Sequence, residues 1–493
     1  MKIALHTPID PATLAAMAGG EPVLLGTSES PASSDSLAVT HICTDSREAD
    51  EHTLFCAIRG ERVDGHDYVG KASSLGCSLF LCERVPENAP DRGMVIRVPD
   101  TVGALGCLAN ARRAGDLSGL SITAVTGSVG KTTTKEMLCV VLSAIRPVYK
   151  KEGNYNSTIG LPLSVLEIPS DIREAVLEMG MSARGEISSM TAAVRPDIAV
   201  IANIGSSHLE HLGTRENIAR AKLEIAEGLR EGGILLVNGD EPLLRQLGQD
   251  FDTERPTIPA HIRPLRLCRT GEGDFTIRRV TPCDGGMVFD LDTPAGLWSD
   301  LRIPAMGEHL VWAAAFAAAV GQLRGGSVGQ VREGLSHYRP AAMRQNCRTV
   351  EGVTLIEDCY NAAPESMRAA LAVLKLTAEE RKAPRRIAVL GDMKELGQDT
   401  ESLHRGVGAE AVKRGIDLLV AVGELGRCIA DGAMEAGLPA EAVCYVPTTE
   451  DYPAAAAHLA ETLRPGDCIL FKASRAMALE TMAEALCERL SRA

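Results

Sequence analysis

The chain has 493 residues, which is too long for one hydrophobic core and typical of about three domains. Hydrophobic residues make up 45% of the chain and charged residues 24%, as in ordinary globular proteins. The net charge of −14 argues against nucleic acid or an anionic membrane as the main partner.

The apolar runs and the cysteines predict where the protein resides. No apolar run in the sequence approaches the roughly 18 residues of a membrane span, and the N-terminus turns polar too early for a signal peptide. The 14 cysteines are scattered without Cys-x-x-Cys spacing. In a chain of this size they indicate reduced thiols, mostly small core residues, in a cytoplasmic enzyme.

Residues 1–118 are predicted to form a small α/β domain that ends in a polar, glycine-containing stretch. Two of its turns carry side chains suited to an anionic ligand. Ser46 and Arg47 lie in one turn and His66 in the other, and they would act through charge-assisted hydrogen bonds. The alternative is that Asp, Ser and Gly serve only to form and cap these turns. Composition alone favours the alternative.

A nucleotide-binding loop is predicted between a buried strand at 122–126 and a helix at Lys131–Ser143. The turn at 127–130 begins and ends with glycine, which permits close backbone approach. Free N–H groups at the helix start would point at phosphate oxygens, Lys131 would reach the β- and γ-phosphates, and Thr132 would ligate Mg²⁺. Val125 occupies the position of the usual first glycine, so the loop is a shorter form. This pattern predicts binding of ATP or GTP.

The segment 119–339 alternates buried strands with helices, which predicts a mostly parallel sheet with ligands at the carboxyl ends of its strands. Glu178, at such a strand end, is a hard oxygen ligand suited to Mg²⁺. His208 lies in the loop after another strand, where a lone histidine is more often a surface hydrogen-bonder. Lys222 lies in a helix predicted over 216–229, and the alternative is an exposed lysine with i,i+4 contacts. Residues 253–300 are strand-like and rich in turns, which predicts a sheet extension.

Residues 340–493 repeat the alternation of strands and helices, which predicts a second doubly wound, Rossmann-like unit. No strand is followed by Gly-x-Gly-x-x-Gly, so a dinucleotide role is not expected. Lys472, Ser474 and Arg475 place two cations and a hydroxyl after the final strand, where ligands bind. The predicted class is therefore α/β in three domains, with bounds 1–118, 119–339 and 340–493.

A series of motifs along the chain resembles the Mur ligase family. In the first segment the resemblance rests on Asp-Ser-Arg at 45–47 and Asp-Gly-His at 64–66. In the centre it rests on Gly-Ser-x-Gly-Lys-Thr-Thr, Asn-x-Asn-x-x-x-Gly-Leu-Pro-Leu, Glu-Met-Gly, His-Leu-x-x-x-Gly and the stretch 218–225. The last segment contains Asp-x-Tyr-Asn-Ala-x-Pro, Leu-Gly-Asp-Met-x-Glu-Leu-Gly and Lys-x-Ser-Arg-x-Met. Each motif alone is weak, but their order over nearly the whole chain is specific.

The resemblance implies a UDP-sugar-binding first domain, a central ATP-binding domain and a C-terminal ligase domain that closes on the substrates. It implies that ATP phosphorylates a carboxylate of UDP-N-acetylmuramoyl-tripeptide, and that the amine of D-alanyl-D-alanine attacks the acyl phosphate. The product would be the UDP-linked pentapeptide precursor of peptidoglycan, which serves cell-wall synthesis, cell shape and cell division. The implied cofactors are ATP and Mg²⁺, and we expect a cytoplasmic monomer without a nucleic-acid partner.

The resemblance also implies roles for individual residues. Lys131, His208 and Lys222 are the implied catalytic residues. Lys222 would be carbamoylated, because a carbamate is an anion whereas an ammonium group repels Mg²⁺. The implied metal ligands are Thr132, Glu178, His208 and the Lys222 carbamate. The implied ATP contacts are Thr126, Gly127, Ser128, Val129, Gly130, Lys131, Thr132, Thr133, Asn203, Arg344, Asp358 and Asn361. The implied substrate contacts are Ser46, Arg47, Asp64, His66, Asn156, Lys472 and Ser474.

The chain departs from the family pattern in the residues expected near the adenine. Leu310 and Ala313 replace two asparagines that follow Gly-x-His in the family, and Ala363 replaces the second asparagine of Tyr-Asn-Ala-Asn-Pro. The family's adenine contacts therefore do not carry over to this chain. The phosphate-end residues are all present, so catalysis should be affected less than nucleotide choice.

Three other classes of protein share parts of this pattern. A ligase that adds the third peptide residue would be expected to contain Asp-Asn-Pro-Arg in the last segment, and the sequence lacks that string. A folylpolyglutamate-type or cyanophycin-type ligase would not be expected to contain Gly-Asp-Met-Lys-Glu-Leu-Gly. A P-loop switch or regulatory ATP-binding module would leave the first domain without a substrate.

Overall fold

Three separate β-sheets with flanking helices follow one another along the sequence. The structure is a computed structural model that describes residues 1–26, 38–245 and 258–492. Each sheet lies within one of the three predicted segments, and the predicted α/β class is confirmed. The boundaries at 118/119 and 339/340 stay predictions.

The first sheet is built on short apolar strands. Its strands are β1 (Lys2–Ile9), β2 (Glu21–Leu25), β3 (Val39–Cys43), β4 (Thr53–Cys56), β5 (Leu79–Cys82) and β6 (Gly93–Arg97). Its helices are α1 (Pro11–Ala18), α2 (Val69–Ser74) and α3 (Thr101–Ala114). The order is β1-β3-β4-β5-β6-β2, with β3 to β6 parallel and both edge strands antiparallel. The central strands β4 and β5 are buried along their whole length, as expected of parallel strands covered on both faces.

The central sheet carries the nucleotide-binding loop. Its strands are β7 (Ser121–Thr126), β8 (Val148–Lys150), β9 (Glu174–Glu178), β10 (Ile198–Ile201), β11 (Ile234–Asn238), β12 (Arg263–Cys268), β13 (Phe275–Cys283), β14 (Gly286–Thr293) and β15 (Gly296–Ile303). The order in the described residues is β15-β14-β13-β12-β11-β10-β7-β9-β8. Strands β7 to β13 run parallel to one another, so the mostly parallel sheet is confirmed.

The antiparallel meander β13–β14–β15 extends this sheet, as predicted for 253–300. Residues 253–257 of that prediction lie outside the described residues. At the other end of the sheet, Thr126 pairs with Ile201 and Val125 pairs with Glu178. The carboxyl ends of β7, β9 and β10 therefore lie side by side.

The helices of the central unit flank this sheet. They are α4 (Lys131–Ser143), α5 (Gly160–Leu166), α6 (Glu186–Val194), α7 (Leu209–Leu212), α8 (Arg215–Leu223), α9 (Pro242–Arg245), α10 (Glu308–Leu323) and α11 (Val328–Ser336). Helix α4 has the predicted bounds. The helix predicted over 216–229 is wrong at its end, because α8 stops at Leu223 and continues only as a 3₁₀ turn. In that turn the Glu224 carboxylate accepts hydrogen bonds from the N–H groups of Gly185 and Ser188, which ties the chain to the start of α6.

The last sheet forms the predicted doubly wound unit. Its strands are β16 (Asn346–Val350), β17 (Val353–Glu357), β18 (Arg386–Gly391), β19 (Leu418–Val422), β20 (Val443–Val446) and β21 (Cys468–Lys472). Its helices are α12 (Pro364–Arg381), α13 (Thr400–Lys413), α14 (Gly426–Glu435), α15 (Tyr452–Thr462) and α16 (Glu480–Leu490). The order is β16-β17-β21-β18-β19-β20, and only β16 of these is antiparallel to its neighbour.

Two further sequence predictions concern thiols and membrane spans. All 14 cysteines are free thiols and most of them are buried, as predicted. No helix in the described ranges is both long and apolar enough to cross a membrane.

Candidate active site

A cavity of about 1180 Å³ lies between the carboxyl edges of the central and last sheets, and both units line it. Most of the residues predicted to bind ATP or metal line its wall. The predicted site residues among them are Ser128, Val129, Gly130, Lys131, Thr132, Thr133, Asn156, Glu178, Asn203, His208, Arg344, Asp358, Asn361, Lys472 and Ser474. The other predicted site residues lie outside this wall: Ser46, Arg47, Asp64, His66, Thr126, Gly127 and Lys222.

The loop between β7 and α4 is hydrogen-bonded to one asparagine that follows the neighbouring strand β10. Asn203 Oδ1 accepts hydrogen bonds from the N–H groups of Ser128 at 3.1 Å and Val129 at 2.9 Å. Gly130 adopts φ 80°, in the left-handed region that glycine tolerates, and α4 begins at the next residue. Lys131 Nζ donates to the Gly127 carbonyl at 2.9 Å. The loop thus places a lysine and backbone donors at a helix N-terminus, where anions are favoured.

Oxygen ligands converge beside this loop. The Thr132 hydroxyl donates to Glu178 Oε2 at 2.8 Å, and Asn156 Nδ2 donates to Glu178 Oε1 at 2.9 Å. Glu178 ends the fully buried strand β9, which fixes the carboxylate at the sheet edge. A hydroxyl and a carboxylate are hard oxygen donors of the kind Mg²⁺ prefers, so this pair fits the ion.

His208 lies on the same wall but engages the last unit. Its φ of 65° is strained for a non-glycine residue, and its Nδ1 lies 2.7 Å from Glu395 Oε2. Burial lowers the pKa of His208, while the nearby Glu395 carboxylate opposes that shift. The imidazole therefore links the central unit to the segment after β18.

Lys222 is buried in α8, with only 1% of its surface exposed, which excludes the alternative of an exposed lysine. Its ammonium group has no hydrogen-bond acceptor among the described residues. Burial, and secondly the charge of Lys131, hold the pKa of Lys222 well below its usual range. Burial likewise lowers the pKa of Lys131. An unpaired buried cation is costly, so Lys222 is stable here as a neutral amine or as a modified group.

The opposite wall of the cavity carries a cation and an ion pair. The Arg344 guanidinium lies over the Tyr360 ring, with Cζ 4.1 Å from the ring centroid. Lys472 Nζ contacts Asp358 Oδ2 at 2.7 Å and donates to the Asn361 carbonyl at 3.0 Å. Because β17 and β21 are adjacent parallel strands, their carboxyl ends bring these two charges together.

The predicted substrate contacts of the first unit form turn and capping bonds. Asp64 Oδ1 accepts from the backbone N–H of His66 and contacts His66 Nδ1 at 2.6 Å. His66 is fully buried, and its Nε2 accepts from the Glu83 N–H. Arg47 pairs with Asp45 yet stays 74% exposed. These hydrogen bonds give Asp64 and His66 a structural role in the turn. A role of Ser46, Arg47, Asp64 and His66 in substrate binding stays a prediction.

Several cavity residues were missed by sequence reasoning. Trp312, Phe316, Tyr338 and Gln345 line the wall beside Leu310, Ala313 and Ala363. The carboxylates of Glu365 and Glu395 reach the central unit from the last unit. Glu395 belongs to the quoted Leu-Gly-Asp-Met-x-Glu-Leu-Gly motif, but no sequence signal pairs it with His208.

Comparison with known families assigns all three segments. Residues 38–113 match the family model described as Mur ligase family, catalytic domain. Residues 125–321 match the Mur ligase middle domain, and residues 343–475 match the Mur ligase, glutamate ligase domain.

Individual relatives span nearly the whole chain. The chain is 39% identical over 449 residues to the UDP-N-acetylmuramoyl-tripeptide–D-alanyl-D-alanine ligase of Bacillus subtilis, covering 91% of this chain and 93% of that protein. It superposes on MurF from Acinetobacter baumannii with a TM-score of 0.85 at 31% identity, over 99% of this chain and 100% of the other. Thermotoga maritima MurF ligase in complex with ADP gives a TM-score of 0.78 at 29% identity, over 92% and 98% of the two chains. The chain belongs to the Mur ligase family.

Proposed function

We propose that this chain is an ATP-dependent, ADP-forming ligase that joins D-alanyl-D-alanine to UDP-N-acetylmuramoyl-tripeptide. The named function of the Bacillus subtilis relative supports this assignment over nearly full length. The observation that carries it is one cavity with the phosphate loop and the Thr132–Glu178 pair on one wall, and Arg344 and Asp358 on the other. The product would be the UDP-linked pentapeptide precursor of peptidoglycan.

The reaction needs ATP and two organic substrates. A carboxylate oxygen of the tripeptide attacks the γ-phosphorus, which releases ADP and forms an acyl phosphate. The amine of the dipeptide attacks the acyl carbon, the resulting intermediate expels phosphate, and the amine proton leaves to solvent. Lys131 and Arg344 are two cations of the cavity wall suited to holding the transferred phosphoryl group, because phosphoryl transfer depends on positioning and charge neutralisation. Asp358 would bind the ribose hydroxyls.

Mg²⁺ would neutralise the charge that develops on the phosphate oxygens. Thr132 and Glu178 are the residues that would hold it, since their oxygens already lie within 2.8 Å of each other. His208 would contribute to a second site once Glu395 releases its Nδ1. Closure of the last unit on the central unit would accompany that release.

Lys222 would act as a carbamate. Its lowered pKa favours the neutral amine, and a neutral amine attacks the carbon of CO₂ with loss of one proton. The resulting anion would be attracted to Lys131 and to a metal ion, whereas the ammonium form is repelled by both. Labelled bicarbonate should give a carbamate signal in the wild type that is absent in Lys222→Met. Absence of the signal in the wild type would contradict this role.

Ser46, Arg47, Asp64 and His66 would contact the UDP-linked substrate, with the exposed guanidinium of Arg47 as the main cation. A monomer is proposed because one chain supplies both walls of the cavity. The 14 free thiols support a cytoplasmic location, since such thiols persist in a reducing compartment.

The decisive experiment measures phosphate release from ATP with UDP-N-acetylmuramoyl-tripeptide present, with and without D-alanyl-D-alanine. We expect release that depends on the dipeptide, and a product heavier than the tripeptide substrate by D-alanyl-D-alanine less water. Release that is indifferent to both substrates would refute the proposal. Amide formation with another amine would indicate a related ligase instead.

A further inference from the structure

The cavity wall contributed by α10 is apolar at the positions where the family carries asparagines. Leu310 and Ala313 are 3% and 5% exposed, and Ala363 from the last unit is 6% exposed. Trp312 and Phe316 extend the same wall, with ring centroids 6.3 Å apart. This surface suits stacking against a flat ring but offers no side-chain hydrogen bond at these three positions.

One polar side chain at the cavity wall has an acceptor without a partner. Gln345 Nε2 lies 2.7 Å from His309 Nε2, while Gln345 Oε1 is buried and accepts no hydrogen bond from the described residues. Burial lowers the pKa of His309 to about 4, so the imidazole is neutral and one ring nitrogen is free to accept from the amide. A buried acceptor left unpaired is destabilising, and a hydrogen-bond donor of a ligand would remove that cost.

Gln345 lies on the cavity wall between the phosphate loop and the Asp358–Lys472 ion pair in terms of its neighbours. Arg344, the preceding residue, is close enough to Lys131 of the phosphate loop for its charge to lower the pKa of that lysine. His309 lies within the electrostatic reach of Asp358 and Lys472. The Gln345–His309 pair is therefore near Asp358, the carboxylate proposed to bind the ribose, and a base attached to that ribose would be within its reach.

We propose that Gln345 is the specificity-determining residue for the nucleobase, and that its Oε1 accepts a hydrogen bond from the exocyclic amino group of adenine. The inference rests on the proposed use of ATP and deepens it, because it names the group that replaces the missing asparagines. Guanine carries a carbonyl oxygen where adenine carries this amine, so two acceptors would face each other. The apolar wall then binds the ring, and the carboxamide selects adenine.

The test is nucleotide binding to the full-length protein, measured by calorimetry with Mg²⁺. The probes are ATP, GTP and purine riboside triphosphate, which lacks only the exocyclic amine. We expect the wild type to bind ATP about tenfold more tightly than the amine-free analogue, as for one well-made hydrogen bond. Gln345→Met should bind both with nearly equal Kd. Gln345→Glu retains an acceptor and should retain the preference for the amine.

The matched control is Gln398→Met, because Gln398 is exposed and lies outside the cavity wall. This variant should leave unchanged the ratio of the Kd of the amine-free analogue to the Kd of ATP. An unchanged ratio in Gln345→Met, equal binding of both analogues by the wild type, or tighter binding of GTP than ATP would overturn the inference. Ligation with an unchanged ratio would refute only the role of Gln345. Amine-dependent ATP binding without amide formation would instead refute only the proposed function, and absence of ATP binding would refute both.

Discussion

The hydroxyl of Thr132 donates a hydrogen bond of 2.8 Å to the carboxylate of Glu178. The two residues are 46 positions apart in sequence, yet β7 and β9 are adjacent parallel strands and end together at the cavity. The second carboxylate oxygen accepts from Asn156, so both oxygens of Glu178 are held in place before a ligand binds. A metal site benefits from such pre-organisation, because its ligands then do not have to move when the ion binds.

Glu178→Gln should weaken Mg²⁺ binding while leaving the fold intact. The amide retains an acceptor for one of the two hydrogen bonds but removes the negative charge that a hard cation prefers. We expect the Mg²⁺ concentration for half-maximal phosphate release to rise at least about tenfold, in line with loss of one charged ligand. The control is Glu186→Gln, because Glu186 lines the same cavity and, among the described residues, accepts a hydrogen bond only from the backbone N–H of Ser182. Equal Mg²⁺ dependence in both variants would contradict the role of Glu178.

Lys222→Met should lower the ligase activity without lowering the stability of the fold. Removing a buried amine that lacks an acceptor also removes its desolvation cost, so the Tm should be unchanged or higher. Ligation should fall about a hundredfold or more, as for removal of one pre-organised electrostatic group. The measurements are thermal unfolding and product formation, with the 76% exposed Lys413→Met as control. A lower Tm with normal ligation would assign Lys222 a purely structural role.

Local sequence patterns predicted the elements better than the contacts between them. The bounds of α4 followed from its glycine start and apolar periodicity, and the strand predicted at 122–126 is an apolar run that begins one residue earlier, at Ser121. The end of α8 was mispredicted because the Glu224 side chain bonds α6, which lies far away in sequence. For the same reason no sequence pattern indicates that Glu395 meets His208, or that His66 is buried behind Asp64. The family resemblance implied which residues take part in the reaction. The tertiary contacts determine which of those side chains are free to bind a ligand.

Glu365→Gln should tighten ATP binding. The Ser206 hydroxyl donates to Glu365 Oε1 at 2.9 Å, and Oε2 is buried without a partner in the described part of the chain. A Cβ built on Gly205 would lie 3.1 Å from both the Glu365 carboxyl carbon and Ser128 Cβ, which places this carboxylate beside the phosphate loop. A triphosphate would be repelled there, by roughly 1 kcal/mol at the dielectric of a solvated site.

The expected result for Glu365→Gln is a several-fold lower Kd for ATP with Mg²⁺, measured by calorimetry. Glu379→Gln is the control, because that residue lies on the same helix α12 but outside the cavity wall. Weaker binding in Glu365→Gln would show instead that the carboxylate helps to hold the nucleotide.

Strand β9 begins with another buried carboxylate, Glu174, which lies at the opposite end of the strand from Glu178. Its side chain is fully buried, and neither oxygen accepts a hydrogen bond from the described residues. Burial raises the pKa of Glu174 to about 7, although Arg324 and Arg146 oppose the shift. The Arg324 Nε atom is 3.2 Å away but is not aligned for a hydrogen bond.

Glu174→Gln should change how stability depends on pH. In the unfolded chain the carboxyl titrates near pH 4.5, so between pH 4.5 and about 7 the folded state binds a proton that the unfolded state releases. The stabilising contribution of the protonated side chain is complete below pH 4.5 and is lost as the pH rises through 7. Relative to the wild type, Glu174→Gln should therefore gain about 3 kcal/mol of unfolding free energy from pH 4.5 to 7, at about 1.4 kcal/mol per pKa unit. Denaturant unfolding of both proteins between pH 4.5 and 7 measures this difference, and the exposed Glu216→Gln should show no such trend. A difference that is flat across this range would mean that Glu174 stays ionised in the folded protein and that Arg324 compensates its charge.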